Sequence, residues 1–237
     1  MSVITISADF TSSFGKPLKH HPPFAERCSS VQIDLTSKNA KTQLFYGFTI
    51  ETGGGGAMRK VIFGGANSLD NYIAREDHSF DWIMHSDEAM ELMKEMWPRF
   101  DAMVMGRKTY EITKQFAPKS KSKKIKNEFG MPAYVFSRTL RSGSRDGVEF
   151  VSEDPGKFVK KLKRQKGKDI MVFGGGEFGS ALLEAGVVDE IGFNIHPVLL
   201  GSGIPLFHKI SRQIDLELIE CRQFKNGCVY VLYKVKN

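Results

Sequence analysis

Cysteine is scarce in this chain. Three residues in 237, Cys28, Cys221 and Cys228, form no metal-ligand spacing, and their odd number excludes a disulfide framework. Cys221 and Cys228 flank an expected hairpin, where two reduced strand residues are the better reading. No apolar run reaches the roughly eighteen residues that a membrane span needs, and the N-terminus has neither a charged leader nor a continuous apolar stretch. Neither membrane insertion nor secretion is expected from this, and a cytoplasmic location is. Also missing is a G-x-G-x-x-G after the first strand of the main domain, so the usual dinucleotide-binding fingerprint is excluded.

What is present suffices for one substantial core: 41% of the residues are hydrophobic. The formal charge of +7 favours phosphorylated or polyanionic partners in a general way. Residues 1–57 read as short strands between polar, Pro-rich loops and end in Gly53-Gly54-Gly55-Gly56, a linker composition. Because Met58 opens a sequence that reads as a domain from its first strand, residues 1–57 are expected to be a β-rich fused element. His20 and His21 lie there without further ligands at metal spacing, so no metal is expected.

Residues 58–237 alternate strand and helix and finish in two strands around Lys225-Asn226-Gly227, a hairpin signature. Ala89, Leu92, Met93, Met96 and Trp97 repeat as one face of a helix stopped by Pro98. Asp154-Pro155 is expected to cap a later helix, whose Phe158, Val159 and Leu162 face inward while lysines face water. Nucleic-acid binding is not expected from these lysines or from the Lys/Ser stretch 119–126, because no aromatic residues interleave them.

The centre of this organisation is the stretch 169–178, where an apolar strand breaks into Gly174-Gly175-Gly176 and a helix follows at once. Glycine lets backbone approach a ligand, and the amides and dipole of a helix N-terminus favour phosphate. Two further strand ends carry Gly106-Arg107-Lys108-Thr109 and Ser137-Arg138. If these ends are neighbours, they line one anionic groove with room for two phosphate sites, as a phosphorylated dinucleotide requires.

The motifs Asn67-Ser68-Leu69-Asp70-Asn71-Tyr72-Ile73-Ala74, Val104-Met105-Gly106-Arg107-Lys108-Thr109-Tyr110-Glu111, the glycine triplet, and Pro197-Val198-Leu199-Leu200-Gly201-Ser202-Gly203-Ile204-Pro205-Leu206-Phe207 occur in that order. Together they resemble the dihydrofolate reductase-like family, and more closely the bacterial proteins similar to the reductase domain of the riboflavin-biosynthesis deaminase-reductase. The resemblance covers residues 58–237 and nothing in 1–57. It implies an α/β fold: a mixed, mostly parallel sheet of about eight strands, helices on both faces, and a C-terminal antiparallel hairpin. It also implies an NADPH-dependent reductase of a small heterocyclic or conjugated substrate, often a homodimer. By position, Gly106, Arg107, Lys108 and Thr109 would meet the adenosine-side phosphate and pyrophosphate, and Ser137 and Arg138 the 2′-phosphate. Gly174, Gly175, Gly176, Glu177 and Phe178 would meet the pyrophosphate and nicotinamide side. Ala66, Asn67 and Ile73 would border the nicotinamide.

Hydride chemistry belongs to the cofactor, and the protein positions the acceptor and routes a proton. Asp87 follows Trp82 by five residues, the spacing that dihydrofolate reductases use for their acid, and is the first catalytic candidate; Asp70 is the second. Against Asp87, a carboxylate in a first helical turn is also expected for the dipole alone, and the helical wheel puts it opposite the apolar stripe. Trp82 and His196 are expected to border the substrate. A nucleotide-binding module without turnover, or a carrier scaffold for the fused segment, is the competing reading, because a fold alone does not establish activity.

Overall fold

In a computed structural model of the chain, residues 58–116, 129–145 and 147–236 are described; the expectations for residues 1–57 and for the Lys/Ser stretch lie outside them. Eleven strands and four α-helices follow in order. They are β1 (Val61–Ser68), β2 (Tyr72–Ala74), α1 (Asp87–Met96), β3 (Phe100–Gly106), α2 (Arg107–Phe116), β4 (Ala133–Phe136), β5 (Gly143–Arg145), β6 (Val148–Val151), α3 (Pro155–Lys163), β7 (Asp169–Phe173), α4 (Gly176–Glu184), β8 (Glu190–His196), β9 (Ile204–Pro205), β10 (Leu216–Gln223) and β11 (Val229–Val235).

Nine strands form one sheet in the order β10-β11-β8-β1-β7-β3-β4-β6-β5, and β2 pairs with β9 in a separate two-stranded sheet. The six strands from β8 to β6 are parallel, whereas β5, β11 and β10 run antiparallel to their neighbours. The ninth strand, beyond the eight expected, is β5, an exposed three-residue edge of Gly-Ser-Arg that carries no apolar signal. Alternation along β3 divides the core. Ala102 and Val104 pack with Val159 and Leu162 of α3 and Leu182 and Leu183 of α4, whereas Met103 and Met105 pack with Tyr110 of α2 and Met96 of α1. Helices therefore cover both faces, as the alternation of strand and helix requires.

Local signals hold where chemistry dictates them. Asp154 caps α3 by accepting the Lys157 N–H at 2.8 Å, with Pro155 in the first turn. The hairpin forms between β10 and β11, but of Asn226 and Gly227 only Gly227 has a positive φ (87°), so the connection is longer than a two-residue turn. Cys221 is exposed and Cys228 buried, and neither is bridged. The first strand exceeds its apolar run: β1 continues through Gly64, Gly65 and Ala66 to Ser68, zipped to β8 along its length. A Cβ at Gly64 would lie 2.7 Å from the Gly192 carbonyl oxygen, so this pairing needs glycine.

The N-terminal ends of the parallel strands are closed by charge. Lys60 and Arg99 hold the buried Glu190 at 2.7 and 3.2 Å, Arg99 also reaches Asp169 at 3.2 Å, and Lys163 pairs with Asp189 at 2.7 Å. Arg59, itself buried, pairs with Asp101. The carboxylates of Asp169 and Asp189 also accept the backbone N–H groups of Lys60 and Val61.

Candidate active site

The opposite edge, at the carboxyl ends of β1, β7, β3 and β4, is built from glycine. Gly174 has φ +98°, and a Cβ there would meet Thr109 Oγ1 at 2.3 Å; a Cβ at Gly175 would meet Ile73 Cδ1 at 2.3 Å. A Cβ at Gly106 would lie 3.4 Å from Phe178 Cβ, and the Phe178 ring packs on Phe136, the residue before Ser137, with centroids 5.2 Å apart. The three strand-end junctions expected from the sequence are thus neighbours, and Ile73 of β2 joins them. Two helix N-termini, those of α2 and α4, converge there, and no side chain caps α4. Backbone amides and dipole ends brought together in this way can hold an anion.

The sheet splits beside these junctions. Pairing of β1 with β7 stops at Phe63 and Val172, while β1 runs on to Ser68 with β8 alone. Gly64, Gly65, Ala66 and Asn67 therefore stand without a strand neighbour on the β7 side, which leaves a slot between β1 and β7. Asn67 is buried, donates through Nδ2 to the Ser68 carbonyl at 2.8 Å and to Asn71 Oδ1 at 3.2 Å, and leaves its own Oδ1 without a partner.

The side chains nearest the junctions are not all free. Arg107 is half-buried and pairs with Glu111 one turn on at 2.8 Å, so a phosphate must draw it from that partner. Lys108, Arg138 and Glu177 are exposed. Ser137 is buried, and its hydroxyl accepts the Leu140 N–H at 3.0 Å, fixing the turn that carries Arg138. The Gly176 N–H donates to the Leu206 carbonyl at 3.0 Å, which removes it from the amides open to a ligand. Phe178 serves as a wedge under the junctions.

Asp70 joins the β1–β2 turn to the loop before β9. Its carboxylate accepts from Ser68 Oγ at 2.6 Å and from the backbone N–H groups of Leu200 (3.2 Å) and Gly201 (2.8 Å). The Ser68 hydrogen bond, aided by those amides, holds the Asp70 carboxyl below the usual carboxylate range, against a smaller desolvation effect. Asn71 beside it adopts φ +64°, the left-handed conformation its short amide tolerates. The loop leads into Leu206, whose N–H donates to the Asn71 carbonyl while its own carbonyl anchors Gly176. Asp70 thus acts on the glycine turn through β9, and its three donors leave it ionised, which argues against a role as acid.

Asp87 is exposed in the first turn of α1, whose cap is Ser86 accepting the Ala89 N–H at 3.1 Å. Trp82 and His196 are buried together, rings edge to face at 5.4 Å. His196 Nδ1 accepts the Met84 N–H at 3.1 Å, Nε2 lies 3.3 Å from the Asn194 amide, and Cys228 Sγ lies 3.3 Å from Nδ1. Desolvation, with His85 a smaller influence, lowers the His196 pKa, and burial raises that of Cys228, so the pair is neutral. Asn194 and the Leu206 carbonyl carry no sequence signal: one is a strand residue among others, and the other acts through its backbone.

A separate apolar cavity of about 230 Å³, lined by Leu183, Ile191, Phe207, Ile210, Ile214 and Leu216 with Arg212, shares no residue with the glycine junctions.

Comparison with known proteins agrees with the fold. The family model described as RibD C-terminal domain matches residues 59–230. The uncharacterized protein YyaP of Bacillus subtilis is 32% identical over 182 residues, covering 74% of this chain and 95% of that protein. A putative riboflavin biosynthesis protein from Shewanella superimposes with a TM-score of 0.64 at 23% identity, over 75% of this chain and 99% of that one. A dihydrofolate reductase from Enterococcus faecalis, complexed with NADP(H), gives 0.52 at 13% identity, over 75% and 97%. At these identities the two structures speak for the fold.

Proposed function

Because this chain belongs to the RibD C-terminal domain family, we propose that it is an NADPH-dependent reductase that transfers a hydride to a small heterocyclic or conjugated substrate. The observation that carries the reading is the junction at Gly106, Gly174 and Gly175, where Thr109, Ile73 and Phe178 pack so closely that only glycine fits and two helix N-termini meet. The residues present fit a phosphorylated dinucleotide. Amides at the start of α4 and α2 would receive the pyrophosphate, Arg107 and Arg138 the 2′-phosphate, and Ala66, Asn67 and Ile73 would border the nicotinamide in the slot between β1 and β7. When bound, the cofactor supplies a hydride to an electron-poor carbon of the acceptor, and a solvent proton completes the reduction.

The chain's own contributions are binding, orientation and exclusion of water. Ser137 fixes the turn that presents Arg138. Thr109 and Ile73 close on the glycine turn from two sides, and Asp70 holds the strap that anchors Gly176. Exposed Leu216 and Leu218 on the edge strand β10 support the homodimer expected of the family, which light scattering tests.

Titration calorimetry with NADPH and NADH, together with NADPH consumption against a panel of pterins, flavin precursors and quinones, tests the reading. Replacing Arg107 and Arg138 by Ala should weaken NADPH about tenfold or more and NADH little, since each charged hydrogen bond is worth roughly 1.5–3 kcal/mol. Equal loss for both nucleotides would sink the 2′-phosphate assignment. Binding without consumption across the panel would favour the module without turnover.

A further inference from the structure

The tautomer of His196 fixes the orientation of Asn194. The Met84 backbone N–H can only donate, so Nδ1, which receives it at 3.1 Å, carries the lone pair, and the single proton of the neutral ring sits on Nε2. The Asn194 amide at 3.3 Å from Nε2 must then turn its oxygen to the ring. Its NH2 takes the other position, where the amide atom is buried without a partner. Beside the same imidazole, the Trp82 indole N–H is also buried without a partner. Two neutral donors with no acceptor flank one histidine, and a buried donor left unmet is unfavourable.

Their place in the sheet gives the pair meaning. Asn194 is the direct partner of Ala66, within the part of β1 that has no β7 neighbour. Alternation puts Asn194 and His196 on the face packed by α1, where Cys228 and Tyr230 meet Leu92. On this side Phe80, Met84, Met90 and Met93 stand exposed, flexible thioethers and an aromatic ring suited to a flat apolar body. The charges there are acidic: Asp81, Asp87, Glu88, Glu91 and Glu95 against Lys94, with Asp81 and Glu95 paired to Arg75 and Arg222. The cations of the junctions, Arg107, Lys108 and Arg138, follow β3 and β4 instead.

We propose that the acceptor side of the slot takes a neutral, planar carbonyl compound without a phosphate group, its oxygen received by the Asn194 NH2 and the Trp82 indole N–H. This rests on the reductase reading for its chemistry but not for its binding. Both donors are closed to water in the free chain, so the acceptor enters by displacing the side chains of the segment around Met84.

Lumiflavin and flavin mononucleotide carry the same planar dicarbonyl ring without and with a phosphate, and flavin fluorescence on titration with the full chain reads both. Lumiflavin should bind at least tenfold tighter. Asn194→Asp keeps an acceptor for His196 Nε2–H and replaces the free donor by a second carboxylate oxygen, so it should weaken lumiflavin about tenfold or more and lower the melting temperature through the added charge while leaving NADPH affinity in place. Trp82→Phe should weaken lumiflavin severalfold. No lumiflavin binding, tighter flavin mononucleotide, or an unchanged Asn194→Asp affinity overturns the proposal. Should NADPH fail to bind, the cofactor reading falls while the lumiflavin comparison still decides this one.

Discussion

The two ends of the parallel strands are finished in opposite ways. At the amino ends, Lys60, Arg99 and Lys163 meet Glu190, Asp169 and Asp189, and the same aspartates take up backbone N–H groups of β1. At the carboxyl ends, side chains are withheld at Gly174 and Gly175, and buried polar atoms of Asn67, Trp82 and Asn194 have no partner. The first arrangement is complete by itself. The second leaves buried groups open to a ligand, which is why the proposed site is put at that edge.

The largest expected effect tests the open end. Gly174→Ala places a Cβ 2.3 Å from Thr109 Oγ1 at a φ of +98° that L-residues rarely adopt, so NADPH affinity should fall about a hundredfold. Adding Thr109→Ala removes the nearest colliding atom and should return part of the binding, as calorimetry would show. Glu190→Gln tests the closed end. Two cations lose their charged partner at a buried site, and chemical denaturation should report a loss of about 2 kcal/mol with NADPH affinity unchanged. If Gly174→Ala instead lowered stability without touching NADPH, or Glu190→Gln impaired NADPH, the division of labour between the ends would be gone.

The two ends also differed in how far they could be read from residues. The glycine junctions were legible because strand, glycine and helix is a local pattern, and the contact of Thr109 with Gly174 bears out their grouping. The pairing of Lys60 with Glu190, 130 positions apart, was not, since a charge at a strand end looks like any solvated charge until topology supplies its partner. The full length of β1 is not legible, because Gly65, Ala66 and Asn67 carry no strand signal of their own, yet β8 holds them in register. Asp70 illustrates a middle case: its place in a turn-forming stretch is legible, but its commitment to Ser68, Leu200 and Gly201 depends on the fold.

Asp70 gives a smaller effect at the open end. Its carboxyl lies below the usual range in the folded chain, so its contribution to stability is present above about pH 3.9, the unfolded value. It is lost as pH falls through the folded value. Asp70→Asn should therefore flatten the acid limb of a melting-temperature profile below about pH 4. Because Asp70 holds the strap leading to Gly176, NADPH affinity should fall only severalfold near neutral pH. A collapse of turnover with binding intact would instead restore Asp70 as a catalytic acid.

Asp87 is expected to give the smallest change. It lies exposed in the first turn of α1, already capped by Ser86, where a carboxylate interacts with the helix dipole for about 0.3–1 kcal/mol. Asp87→Asn should lower stability by that order and leave turnover of an accepted substrate within about twofold, because its side chain stands exposed in the first turn of α1. Added salt should erase the stability difference, since exposed charges are screened within about 10 Å at 0.1 M ionic strength. A turnover loss of about a hundredfold or more, the scale of general acid catalysis, would show that α1 delivers its first-turn carboxylate to the substrate, and the proton would then belong to the open end of the sheet.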